Sequence, residues 1–300
     1  MGNAKTGTSG WVAVVWLVLA GTPFGMACGA DPGAPPSTSP GRDGGMGEYP
    51  EDSAASLDRT DAMLPVDAAT PPPARLTDDA AYLVTVITEN WGASEGQLRR
   101  YRRGVDGWVR DGAAVPIILG RSGVGWGRGV HGEGAVADED GPVKREGDGR
   151  SPAGAFWLDR ALGYAPDAPE GTEITYQAMT PTLQCIEDVE SAYYNRVVDR
   201  ALTTPDWDST DRLLRDDGLY EYLVFVDQNT DPAPVPGRGS CILLHVWSSP
   251  TSPTAGCTSM QRDALREVVR SLAPEDNLLV QLPGPVYSRL EAAWGLPPAD

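Results

Sequence analysis

Cys257 follows His245 by twelve positions, across a loop of small and polar residues, Ser248-Ser-Pro-Thr-Ser-Pro-Thr-Ala-Gly256. A thiol and an imidazole set a loop apart are the parts of a nucleophile and its general base. Gly256 lets the backbone come close to a substrate, and N–H groups of the Gly256–Cys257 turn are candidates to cradle a developing oxyanion. The residues after Cys257 predict a helix. Thr258 with Gln261 three places on fits a capping box, and Leu265, Val268, Val269 and Leu272 fall on one apolar stripe. A thiol at a helix start is favoured as thiolate, because the exposed N–H groups and the dipole there attract anions. The chain has two histidines. His131, in the glycine-rich run His131-Gly-Glu-Gly134, competes for the role of base but has no strand to fix its position.

Four cysteines are present, Cys28, Cys185, Cys241 and Cys257. Cys241 opens the apolar run Cys241-Ile-Leu-Leu-His-Val-Trp247, where a thiol is inert, and Cys185 lies in a less regular stretch. In an oxidising compartment these two are expected to form a Cys185–Cys241 disulfide, which leaves Cys257 as the thiol. Two histidines without paired ligand spacing argue against a metal site, and the chemistry of a thiol nucleophile calls for no cofactor.

Leu244-His-Val-Trp247 followed by Pro253-Thr-Ala-Gly-Cys257 resembles the catalytic core of the L,D-transpeptidases, the YkuD-like family. Lys144-Arg-Glu-Gly-Asp-Gly149 with Ser151-Pro-Ala-Gly154, and Ser191 with Tyr194-Asn195, match it in the same order. The resemblance covers roughly residues 78 to 285. It implies a mainly β, α+β fold, with a β-sandwich-like catalytic domain and flanking helices. It implies Cys257 as nucleophile, His245 as base, and Gly256 with Cys257 at the oxyanion hole. Thr254, Arg121, Tyr194 and Asn195 are expected to contact substrate. The implied substrate is a peptidoglycan stem peptide, with an amine or water taking the acyl group. An inactive wall-binding protein is the rival reading. Two departures stand out: Ala255 occupies the place of a second His, and Thr258-Ser-Met260 replaces a run that carries an Arg.

These residues need a scaffold, and the periodicity suggests one. Tyr82–Thr88, Val115–Leu119, Leu223–Val226 and Cys241–Trp247 read as strands. Gln97–Arg103 reads as a short helix, and residues 186 to 202 read as partly helical around Ser191–Asn195. Short strands punctuated by Gly and Pro point to a β-rich domain over 78–300. Ahead of it, residues 1–27 read as a signal peptide: Lys5, an apolar run from Trp11 to Ala20, then small residues. Gly25-Met-Ala-Cys28 resembles a lipoprotein cleavage box, so Cys28 is the expected lipid attachment point and membrane anchor, with plain secretion as the alternative. Residues 28–77, rich in Pro, Gly, Ala and Asp, form a tether with too little apolar surface to fold. The protein is therefore expected in the cell envelope. A net charge of −18 over 300 residues argues against a nucleic-acid partner.

Overall fold

The computed structural model describes residues 75–137 and 139–299. The expected signal segment, the lipidation site Cys28 and nearly all of the tether lie outside them. In chain order the elements are β1 (Tyr82–Thr88), β2 (Glu95–Gly104), β3 (Gly107–Arg110), β4 (Val115–Ile118), β5 (Val124–Trp126), β6 (Ser151–Leu158), β7 (Ala161–Gly163) and β8 (Tyr176–Ala178). There follow β9 (Leu183–Ile186), β10 (Val197–Asp199), β11 (Thr210–Arg212), β12 (Tyr222–Phe225), β13 (Leu243–Val246), β14 (Thr258–Met260), α1 (Arg262–Ser271), β15 (Asn277–Pro283) and α2 (Gly284–Trp294).

The domain is mainly β with two helices, as expected. Its sheets are not a simple sandwich. Twelve strands form one hydrogen-bonded sheet, in the order β5-β6-β15-β1-β2-β4-β14-β13-β12-β7-β8 with β3 on β2, and β10-β9-β11 form a small second sheet. Residues from distant parts of the large sheet, such as Leu83, Trp126, Leu244 and Met260, share one apolar cluster, so the sheet curls around its own core. Helix α1 closes one side with Leu265, Val268 and Val269 buried, three of the four positions that the apolar stripe marked. Leu272, the fourth, is buried just past the helix end. Helix α2 has no counterpart in the sequence reading, because it opens on Gly284-Pro285, which resembles a turn. Proline is tolerated in the first helical turn, where its missing N–H costs nothing.

Neither segment expected to be helical forms a helix. Leu98 and Tyr101 lie three apart, which mimics a helical stripe, but Gln97–Arg103 pairs with β1, β3 and β4 as part of β2. Both are buried even though successive strand residues face opposite ways, so β2 is covered on both faces there. Residues 186 to 202 form the end of β9, a pair of tight turns and β10. Ser191 N–H donates to Asp188 O, and Tyr194 N–H to Ser191 O. The Ser191 hydroxyl turns away to Asp206.

The small sheet is stapled to the large one. Cys185 on β9 and Cys241, just ahead of β13, form the expected disulfide. A second, smaller apolar cluster grows around it and contains Leu183, Leu213, Tyr220, Leu223, Phe225, Leu243 and Cys257.

Candidate active site

β13 and β14 are parallel neighbours, with His245 opposite Ser259 and Leu244 opposite Thr258. Side chains alternate along a strand, so Cys257, two places before Ser259, shares the face that His245 occupies. Sheet register thus brings the thiol and the imidazole together. The helix expected to begin at Thr258 starts later, at Arg262, with Gln261 as its cap accepting from the Ala264 N–H. Thr258 lies in β14, and its hydroxyl donates to Gln281 Oε1. Pairing of β14 with β13 and β4 takes those residues from the helix. A helix dipole is therefore not what acts on Cys257.

Cys257 is 0% exposed. Its Sγ lies 3.6 Å from Cys241 O, an acceptor for the S–H. Its own carbonyl accepts from Ser151 Oγ at 3.0 Å and from Thr254 Oγ1 at 2.6 Å. Thr254 in turn exchanges backbone hydrogen bonds with the chain after β4: its N–H donates to Leu119 O and its carbonyl accepts from Arg121 N–H. The Gly256 N–H, an expected oxyanion donor, donates to Thr254 Oγ1 at 3.1 Å. Gly256 also packs so tightly that a Cβ would sit 3.1 Å from Arg150 O. The 254–257 turn is thus held from three directions.

His245 is 5% exposed. Its Nδ1 lies 2.8 Å from Val246 O, which fixes the proton on Nδ1 and leaves Nε2 as the basic nitrogen. The Cys257 side chain acts on the ring both as a hydrogen-bond partner and through its charge. The thiol hydrogen thus has two acceptors within its reach, Cys241 O and the imidazole. Burial disfavours a charged imidazole. The Cys257 side chain, the Val246 carbonyl and Asp211 outweigh it, and the His245 pKa is raised above the ordinary histidine value.

A cavity of about 190 Å³ opens beside His245, lined by Arg121, Arg215, Thr254, Ala255 and Ser259 among others, and Cys257 lies beneath it without lining it. Arg121 is exposed at its mouth. Its stem lies across Gly149, whose φ of +68° suits glycine and where a Cβ would come within 2.9 Å of Arg121 Cγ. A larger hollow of about 580 Å³ lies where the 247–256 loop meets β2 and β4, but none of Cys257, His245 and Arg121 lines it.

No family model matches the chain, and no curated protein matches it. Among solved structures it is similar to the helical cell shape determining protein Pgp2 from Campylobacter jejuni, at 15% identity and a TM-score of 0.32. That match spans 68% of this chain and 48% of the other, so this chain accounts for about half of that protein's length.

Of the residues expected to contact substrate, Thr254 and Arg121 line the cavity and Tyr194 and Asn195 do not. Tyr194 is buried, and its hydroxyl donates to Glu146 Oε2 at 2.5 Å. Asn195, at φ +57°, donates to Gln228 O and Asn229 O and accepts from the Cys241 N–H. Both brace the segment that leads into β13. His131 is remote from the thiol. Its ring stands among Trp126, Phe156 and Trp294, and its Nδ1 accepts from the Ala155 N–H. Among the described residues no cluster of His, Cys, Asp or Glu is arranged to hold a metal.

Three residues of the site carried no sequence signal. Tyr220 meets the His245 ring edge to face at 5.4 Å, Asp211 accepts from the Tyr220 hydroxyl at 2.6 Å, and Arg215 lies beside both. They come from β11 and from the segment between β11 and β12, where no sequence motif was identified.

Proposed function

We propose that this chain is a cysteine acyl-transfer enzyme of the L,D-transpeptidase type, acting on peptidoglycan stem peptides in the cell envelope. The observation that carries the reading is the buried Cys257 thiol placed on the same face as an imidazole whose Nε2 is the basic nitrogen. The Cys185–Cys241 disulfide leaves that thiol as the cluster's nucleophile. The order of the motifs around Lys144, Ser191, His245 and Cys257 supports the choice of substrate.

In the first step His245 Nε2 takes the thiol proton and the Cys257 sulfur attacks the carbonyl carbon of an L-configured diamino acid. The S–C bond forms and the C–N bond to D-Ala breaks. The imidazolium returns its proton to the departing amine. In the second step an amine of a neighbouring stem attacks the thioester, its proton passes to His245, and the S–C bond breaks to leave a cross-link. Stabilisation of either oxyanion by the 255–257 turn requires the Gly256 N–H to exchange Thr254 Oγ1 for the oxyanion.

Water in place of the second amine makes the same site a carboxypeptidase. Ala255 favours this reading, because it lines the cavity and offers no group to activate an amine. Purified muropeptides incubated with the protein and followed by mass spectrometry separate the outcomes. A cross-linked product marks transfer, loss of one D-Ala marks hydrolysis, and Cys257→Ala abolishes either. No product from any muropeptide with the wild-type protein overturns both and leaves an inactive wall-binding protein.

A further inference from the structure

Asp211 takes part in none of these steps, yet the fold buries it against the dyad. It is 5% exposed and lies on β11 opposite Cys185, the residue whose disulfide partner Cys241 presents its carbonyl to the Cys257 thiol. Burying a carboxylate is unfavourable unless its partners replace water. Here the partners are one hydroxyl, Tyr220 at 2.6 Å, and Arg215 at 3.9 Å, which is held more closely by Asp217. The same Tyr220 ring stands edge-on to His245. A short buried path, Asp211 to Tyr220 to His245, therefore connects the small sheet to the base.

The chemistry gives that path a use. His245 Nδ1 is held by a neutral carbonyl, and among the described residues no carboxylate is hydrogen-bonded to the ring. Before attack the thiolate balances the imidazolium. As sulfur bonds to the acyl carbon, that charge moves from sulfur to the oxyanion, farther from the ring, while the imidazolium keeps its proton until the departing amine takes it. We propose that Asp211 and Tyr220 are positioning residues of the dyad: the Tyr220 ring fixes the plane of His245, and the Asp211 carboxylate supplies the standing negative charge that holds the imidazolium while Cys257 is acylated. This rests on the acyl-transfer reading above.

The groups that face Asp211 are Tyr220 and Arg215 from the β11–β12 segment, His245 from β13 and Cys257 ahead of β14. Burial raises its pKa, the Tyr220 hydrogen bond lowers it, the Cys257 charge raises it, and Arg215 and His245 lower it. The result is a carboxyl pushed up to about 7. Reciprocally, Asp211 raises the pKa of His245.

Because the chain has two histidines, NMR of histidine-labelled protein reads the base directly, with His131→Gln assigning the other ring. Asp211→Asn is expected to move the His245 titration to lower pH and leave His131 in place. Tyr220→Phe keeps the ring but removes the hydroxyl that helps Asp211 ionise, and is expected to move His245 the same way by less. On a turned-over muropeptide, Asp211→Asn should lower kcat about tenfold with little change in KM. A His245 titration unmoved in a folded Asp211→Asn protein overturns the proposal. If that variant does not fold, an unmoved His245 in Tyr220→Phe does so. The NMR arm needs no substrate, so failure of the acyl-transfer reading and failure of this one are told apart.

Discussion

Asp211 and Cys257 are both buried reactive groups, but they burden the fold differently. A thiol can enter an apolar cluster as a small hydrophobe, and Cys257 does so beside Leu243 and Tyr220. A carboxylate cannot. The Asp211 pKa rises from its ordinary 3.8 to about 7 in the folded protein. The folded state therefore binds the proton more tightly than the unfolded chain. Burial of the charge costs nothing below about pH 3.8, and its cost grows until pH 7 and is constant above that. Asp211→Asn lacks this cost at every pH. The variant should melt at higher temperature than the wild type at pH 8, and the difference should shrink as pH falls toward 4. Thermal denaturation across that range checks it, and a wild type that melts higher at pH 8 would assign Asp211 a stabilising role instead.

At the scale of elements, the small sheet belongs to the site only through its attachments. β9 is joined to the segment before β13 by the Cys185–Cys241 disulfide, which spans 56 positions of sequence. Asn195, in the turn that follows β9, accepts from the Cys241 N–H and fixes Cys241 at φ +54°. Chain-entropy reasoning for a loop of that length gives the disulfide about 4 kcal/mol of stabilisation. The double variant Cys185→Ser, Cys241→Ser should lose stability of that order in urea denaturation. On the acyl-transfer proposal it should also lose muropeptide turnover under conditions where it stays folded, because Cys241 O and Asp211 both reach the dyad through this connection. A double variant that turns over substrate at the wild-type rate would confine the disulfide to a structural role.

Across the whole molecule, His131 ties together β5, β6 and the C-terminal helix through Trp126, Phe156 and Trp294. Gly154 makes room for it: a Cβ there would lie 2.0 Å from His131 Cε1. Burial lowers the His131 pKa below the ordinary 6.5, against the pull of backbone partners at Ala155 and Gly127. The unfolded chain therefore takes up the proton first as pH falls. The stability that His131 contributes is complete above about pH 6.5 and is lost as pH falls from there through the folded value. Between pH 7 and 5 this contribution is lost while protonation of Asp211 works in the opposite direction, so His131→Gln should gain stability relative to the wild type as pH falls through that range. An unchanged slope in chemical denaturation would place the acid sensitivity elsewhere.

Much of the dyad was legible because it is carried by short-range patterns. The apolar run around His245 forces a buried strand, the small residues before Cys257 allow a tight turn, and the cysteine settings single out one thiol. Local patterns also misled where tertiary pairing overrode them. Leu98 and Tyr101 imitate a helix, and Thr258 imitates a cap, until neighbouring strands claim their backbone hydrogen bonds. The sequence by itself determined which residues can act as nucleophile and base, because residue type and a short loop suffice for that. Only the tertiary structure decided what surrounds them. Parallel register between β13 and β14 puts the thiol and imidazole on one face, a distant sheet brings Asp211 and Tyr220 behind them, and the helix dipole is left out. Such contacts join residues far apart in the chain, and no local pattern of sequence encodes which of them will meet.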